Sequence, residues 1–305
     1  LPDGTFSLVF GAGNDIGQQL VADPNVAAVG FTGSRAGGLM LVAIAQRRRI
    51  PIPVYAEMSS VNPVFLLPDR LSTAATPTAA GFAASLTSGA GQFCTNPGLL
   101  LAVDGAGLDE FRTALGEALA GLPGETMLTA GIAAAYRDGV HRRAAAPGVR
   151  WLAGNADGVA PVVFETTGKT FAADRTGKLH DEIFGAASLL VVCTDPDELL
   201  NAADVLDGQL TATLQATPAD AALARRLLPV LERKAGRIIY NGWPTGVAVN
   251  PAMVHGGPFP ATADGRSTSV GTMAIERFLR PVAYQNLPQS LLDVVTATSE
   301  PRDVE

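Results

Sequence analysis

Short apolar runs alternate with helix-length segments along most of this chain, and glycine, serine or proline marks many of the switches. That alternation constrains the fold more than any other feature. Parallel strands need a long crossover between them, and a helix is the usual one. Residues 6–10 read as a buried strand, and Gly11-Ala12-Gly13-Asn14-Asp15-Ile16-Gly17 as a turn opening into a helix that ends near Ala22. Residues 25–31 form the next expected strand; Thr32-Gly33-Ser34 then caps a helix over 35–48, and 52–56 is a third strand. This β-α-β-α-β order predicts parallel pairing with right-handed crossovers. Further strands are expected at 63–67, 99–103, 149–152, 161–166, 188–193, 210–215 and 237–240. Helices are expected over 71–88, 108–119, 129–143, 219–233 and 272–278. Residues 281–286 read as an extended tail strand and 299–305 as a frayed end. The fold class is therefore α/β.

Two of the strand-to-helix junctions, 11–17 and 32–34, offer helix N-terminal amides to an anion. The spacing of Gly11, Gly13 and Gly17 departs from GxGxxG, so a tight βα turn explains those glycines as well. Ser34 reads as an N-cap, as a phosphate ligand, or as both. The most suggestive stretch is Gly89-Ala90-Gly91-Gln92-Phe93-Cys94-Thr95-Asn96-Pro97-Gly98, a glycine-rich turn between a helix and a strand. Its glycines let the backbone approach a ligand and leave amides free to face a developing negative charge. A thiol placed there can attack a carbonyl. Taken alone, Cys94 reads better as a buried structural cysteine, and Cys193, inside Leu189-Leu190-Val191-Val192-Cys193, is expected to be buried and inert.

Composition excludes several classes. A net charge of −7 with scattered signs argues against nucleic acid, and Arg47-Arg48-Arg49 reads as a solvated helix end. The longest apolar run, 39–45, is too short to cross a bilayer. The chain opens Leu-Pro-Asp-Gly-Thr, without a basic start and apolar core, so a cytoplasmic protein is expected. Two cysteines without a CxxC, and three histidines (His141, His180, His255) without ligand spacing, predict no metal.

Four segments taken in order carry more information: Phe31-Thr32-Gly33-Ser34, Ala56-Glu57-Met58, Gly91-Gln92-Phe93-Cys94 and Glu182-Ile183-Phe184-Gly185. Together they resemble the aldehyde dehydrogenase superfamily, over residues 1–288. Glu57-Met58-Ser59-Ser60-Val61-Asn62-Pro63-Val64-Phe65, Gln92 to Gly98, and His255-Gly256-Gly257-Pro258 look like its branch that oxidises 2-oxoglutarate semialdehyde. The resemblance implies NADP or NAD as cofactor, a small aldehyde as substrate, and a homo-oligomer in the full-length form. It implies that Cys94 is the nucleophile and that Glu57 is the base activating the hydrolytic water. It places Gly33, Ser34, Glu182 and Phe184 against the cofactor, with Gly13 and Gly17 at the preceding junction. Phe93, Trp243, His255 and Phe259 are candidate substrate neighbours, and Arg266 is a candidate anchor for a distal carboxylate.

Departures accompany the match. Ser59-Ser60 stand where the family usually has two glycines, and Ala186 where it usually has proline. Against the family pattern, residues 1–57 correspond to the second half of the cofactor domain, 58–262 to the catalytic domain, and 263–305 to a return segment and oligomerisation tail. The earlier half, with its oxyanion Asn and ribose-binding Lys, is not in this sequence. The expectation is either a fragment of a longer product or a truncated chain that binds cofactor poorly. Two other functions stand beside the dehydrogenase: an impaired homologue acting as a binding or structural partner, and a CoA-acylating enzyme. Glu57 argues against the last, since a water-activating base competes with the acyl acceptor.

Overall fold

Apolar runs in this chain become strands wherever another strand lies alongside, and stay irregular where none does. The computed structural model describes residues 2–11, 13–155 and 158–291. It begins with α1 (Asp15–Ala22), β1 (Val29–Thr32), α2 (Arg35–Arg47) and β2 (Val54–Glu57). β1 and β2 pair in parallel, Thr32 opposite Glu57, as a separate two-stranded sheet. Then come β3 (Val64–Leu66), α3 (Pro68–Thr87), β4 (Leu99–Val103), α4 (Leu108–Leu119), α5 (Ala130–Ala144) and β5 (Arg150–Gly154). The chain continues through β6 (Val162–Thr167), α6 (Gly168–Ala173), β7 (Ala187–Cys193), α7 (Pro196–Asp204), β8 (Gln209–Gln215), α8 (Ala221–Lys234) and β9 (Ala235–Tyr240).

β3 to β9 form one sheet in the order β5-β6-β7-β4-β3-β8-β9. Every neighbour pair is parallel except β5 with β6. Side chains alternate across such a sheet, and both faces are covered here. Thus Phe65, Leu99 and Leu101 join a core with Leu227 of α8, while Val64, Leu66 and Leu100 join another with Phe82 of α3 and Phe111 of α4. α3 starts at Pro68, earlier than expected, because proline suits the first helical position. It kinks at Ala74, ahead of Pro77, whose ring crowds the preceding turn.

Three expected strands need correction. Residues 6–10 form none: Phe6 and Phe10 are 80% and 82% exposed, and no described strand pairs with the other edge of β1. The run 25–31 shortens to β1, and the expected tail strand 281–286 is irregular, again with no described edge beside it. The stretch expected to be helical near the end is a 3₁₀ segment, Thr272–Phe278. The expected frayed end 299–305 lies outside the described residues. Among the described residues, no helix is long and apolar enough to cross a membrane.

Candidate active site

Glu57 is the last residue of β2, and two flanking segments fix it there. Gly33 N–H donates to the Glu57 carbonyl at 3.1 Å from the β1 side. On the other side a return segment runs antiparallel: Met58 N–H donates to Ala261 O at 2.7 Å, and Ala263 N–H to Ala56 O at 2.8 Å. That return carries the loop 255–269 onto the carboxylate. Ser269 donates its hydroxyl to Glu57 Oε2 at 2.5 Å, and His255 Nε2 lies 3.1 Å from Glu57 Oε1.

Cys94 arrives from the larger sheet. Its turn follows α3 and needs left-handed backbone at Gly89, Ala90 and Gly91. A Cβ on Gly91 would lie 2.3 Å from Ala186 N and from Gly185 C, so only glycine lets this turn seat against the segment before β7. Asn96 Nδ2 donates to Gly185 O at 3.0 Å, tying the Cys94 turn to the Glu182-Ile183-Phe184-Gly185 motif. Asn62 is wholly buried, and its Nδ2 donates to Cys94 O and to Asn96 O, both at 2.9 Å. Beneath it, Gln209 Oε1 accepts from Val61 N at 2.8 Å and Thr211 Oγ1 donates to Asn62 Oδ1 at 3.0 Å. Such a satisfied polar network holds a loop in one geometry.

These supports bring Cys94 Sγ to 3.2 Å from His255 Nε2, and the ligand atoms of Glu57, Cys94 and His255 lie within 4.8 Å of one another. His255 Nδ1 is buried without a partner, so a hydrogen there would be an orphaned donor. The hydrogen is therefore assigned to Nε2, which donates toward the Glu57 carboxylate. Burial alone would push the Glu57 carboxyl up; the hydrogen bonds from His255 and Ser269 overcome it and hold it below the ordinary value. The Cys94 thiol goes the other way. Burial first, then the Glu57 charge and hydrogen bond, push it up to about 12. At neutral pH the pair is thus a carboxylate beside a protonated thiol. The same thiol, imidazole and carboxylate set also suits a zinc-sized cation.

The cofactor candidates divide. Ser34 caps α2, accepting from Gly37 N at 3.2 Å, and Arg35 opens that helix. Glu182 is half-buried; burial pushes its carboxyl up to about 7, against the pull of the Ser59 hydroxyl, Arg35 and the Ser60 amide. Arg35, Ser59, Ser60 and Glu182 line one cleft beside the N-terminus of α2, where Arg35 also lies 3.9 Å from Asp207. Phe184 is exposed. Gly13 and Gly17 lie at the start of α1 with no strand before it, so the strand-turn-helix context of a dinucleotide turn is lacking among the described residues.

Of the substrate candidates, His255 meets Cys94 directly. Phe93 is exposed beside the thiol turn and Phe259 is 62% exposed. Trp243 packs on Phe82 of α3, ring centroids 6.1 Å apart, and Arg266 is exposed, its N–H bonded to Asp264. Sequence reasoning missed Asn62 and Gln209 as supports, and Ser269 as a partner of Glu57. The paired Gly256-Gly257 was the available signal: a Cβ on Gly257 would lie 2.1 Å from Gln209 O.

Comparison with known proteins gives the family. The chain is 55% identical over 99% of its length to alpha-ketoglutaric semialdehyde dehydrogenase 2 of Azospirillum brasilense, and covers 58% of that protein. It is 44% identical, with the same two coverages, to alpha-ketoglutaric semialdehyde dehydrogenase of Acinetobacter baylyi. The chain thus spans a little over half the length of these relatives. A similar fold occurs in an NAD-dependent aldehyde dehydrogenase from Sinorhizobium meliloti, with TM-score 0.72 and 24% identity over 93% of this chain and 57% of that one. The model of the aldehyde dehydrogenase family matches residues 1–280, and with the cysteine and the acid meeting as they do, the chain belongs to that family.

Proposed function

We propose that this chain carries the thiol and carboxylate of an aldehyde dehydrogenase site and oxidises 2-oxoglutarate semialdehyde to the dicarboxylate, with NAD or NADP. The observation that carries the reading is the meeting of Cys94, Glu57 and His255 within 4.8 Å. The substrate is supported by the two semialdehyde dehydrogenases to which the chain is 55% and 44% identical.

The chemistry follows from what each group can do. The Cys94 thiol, held protonated, gives its proton to the Glu57 carboxylate as Sγ bonds the aldehyde carbon. The carbonyl π pair moves to oxygen, and the Cys94 amide is one donor for that oxyanion. A bound nicotinamide would supply the hydride acceptor, with Gly33, Ser34, Glu182 and Phe184 as the residues to hold it. Hydride loss leaves an acyl thioester on Cys94. Glu57, having released its first proton to solvent, then takes one from water. The water oxygen bonds the acyl carbon, and the C–S pair returns to Cys94. A carboxylate this close to the sulfur favours water over CoA as acyl acceptor.

Glu57→Gln tests the reading. We expect a slowed burst of no more than one reduced cofactor per Cys94, followed by steady turnover lower by about 10²–10⁴. Undiminished steady turnover would refute the base.

A further inference from the structure

Five arginines among the described residues, Arg35, Arg112, Arg150, Arg226 and Arg233, meet carboxylates, Arg35 facing Asp207 at 3.9 Å. Arg112 and Arg150 share Glu165, Arg226 faces Asp197 and Arg233 faces Asp204. Arg237 is different. It is half-buried on β9, opposite Thr211 of β8, and among the described residues no carboxylate lies within 4 Å of its guanidinium. Nη1 donates to Gly246 O at 3.1 Å and Nη2 to Pro244 O at 3.0 Å, while Nε is buried with no partner. Neutral carbonyls orient a guanidinium without cancelling its charge. A partly buried cation left this way gains from an anion that also fills its free N–H.

Its position says which anion. Arg237 lies on β9 of the larger sheet within electrostatic range of Cys94, while Glu57 approaches Cys94 from the smaller sheet. Gly236 packs onto the loop of His255, where a Cβ would lie 2.2 Å from Gly256 O. An aldehyde carrying a carboxylate at its far end can thus present its carbonyl to Cys94 and its charge to this strand.

We propose that Arg237 is the anion anchor of the site, binding the distal carboxylate of the aldehyde by charge-assisted hydrogen bonds. The proposal rests on the dehydrogenase reading for its substrate, but the anion site itself is testable without catalysis. Cys94 is alkylated with iodoacetate and with iodoacetamide, reagents of similar size that differ in charge, and the two rates are followed by peptide mapping. The iodoacetate-to-iodoacetamide ratio is expected to fall about fivefold in Arg237→Met, the scale of one lost unit charge near a protein surface. Arg237→Lys should restore most of it. Cys193 staying unlabelled in each variant verifies the fold. An unchanged ratio in Arg237→Met overturns the proposal, as does a fall that Arg237→Lys fails to restore. In turnover, Arg237→Met should raise KM for 2-oxoglutarate semialdehyde tenfold or more, with little change for pentanal. An equal rise for both also overturns it. A chain that keeps the charge preference yet oxidises neither aldehyde supports the anion site and refutes the dehydrogenase reading.

Discussion

The surroundings of Cys94 and the junctions proposed for the cofactor are built in opposite ways. The cysteine turn is wedged against Gly185 and Ala186 and tied down by wholly buried Asn62, above a sheet of seven strands. Ser34 follows β1 of a two-stranded sheet, Gly13 and Gly17 lie at the start of α1 with no described strand before them, and a Cβ added at Gly13 or Gly17 would meet nothing within 4 Å. A nucleophile has to be aimed, and the larger sheet supplies rigidity through filled space and satisfied polar groups. The smaller sheet rests on a small buried cluster of Val21, Ala45, Ile52, Val54, Ala56 and Met58. The halves meet at Glu57, through the return segment bonded to β2, and at Arg35, whose guanidinium lies 3.9 Å from Asp207.

Substitutions at matched glycines can break this contrast. Gly91→Ala should cost about 3 kcal/mol or more, because its Cβ meets backbone on both sides at left-handed φ. Gly17→Ala, in a helix with open space around it, should stabilise by about 0.5–1 kcal/mol. Denaturant melts of the two variants measure both, and equal effects would erase the distinction. Ser34→Ala removes a single N-cap bond and should cost about 1 kcal/mol by the same melts, leaving the Cys94 alkylation rate unchanged.

How much was legible beforehand depended on where partners lie in the chain. The strand 99–103 and the helix 108–119 were read at their observed bounds, because their apolar patterns are complete and their turns local. Cys94 and Glu57 stand out as candidates from their motifs. Their meeting through His255 does not, since that residue lies 161 positions from one and 198 from the other. Ser269 gave no signal beyond lying in a small polar segment. The strand 6–10 failed for a related reason: apolarity creates a wish to pair, and only a neighbouring edge fulfils it. Arg237 was the charge inside an otherwise apolar strand, Ala235–Tyr240, and was read as strand alone.

The central claim is that the Cys94 thiol sits within the field of Glu57 inside a shared site, and its titration is the most direct probe. Iodoacetamide labelling of Cys94 is followed by peptide mapping from pH 7 to 10.5, in the wild-type chain and in Glu57→Gln. A thiol pushed up to about 12 should label faster with every step in pH and show no plateau, and far faster than buried Cys193 throughout. Removing the carboxylate charge should lower that value and raise the rate at pH 8. A plateau near the ordinary thiol value of about 8.5, identical in both proteins, would contradict the account.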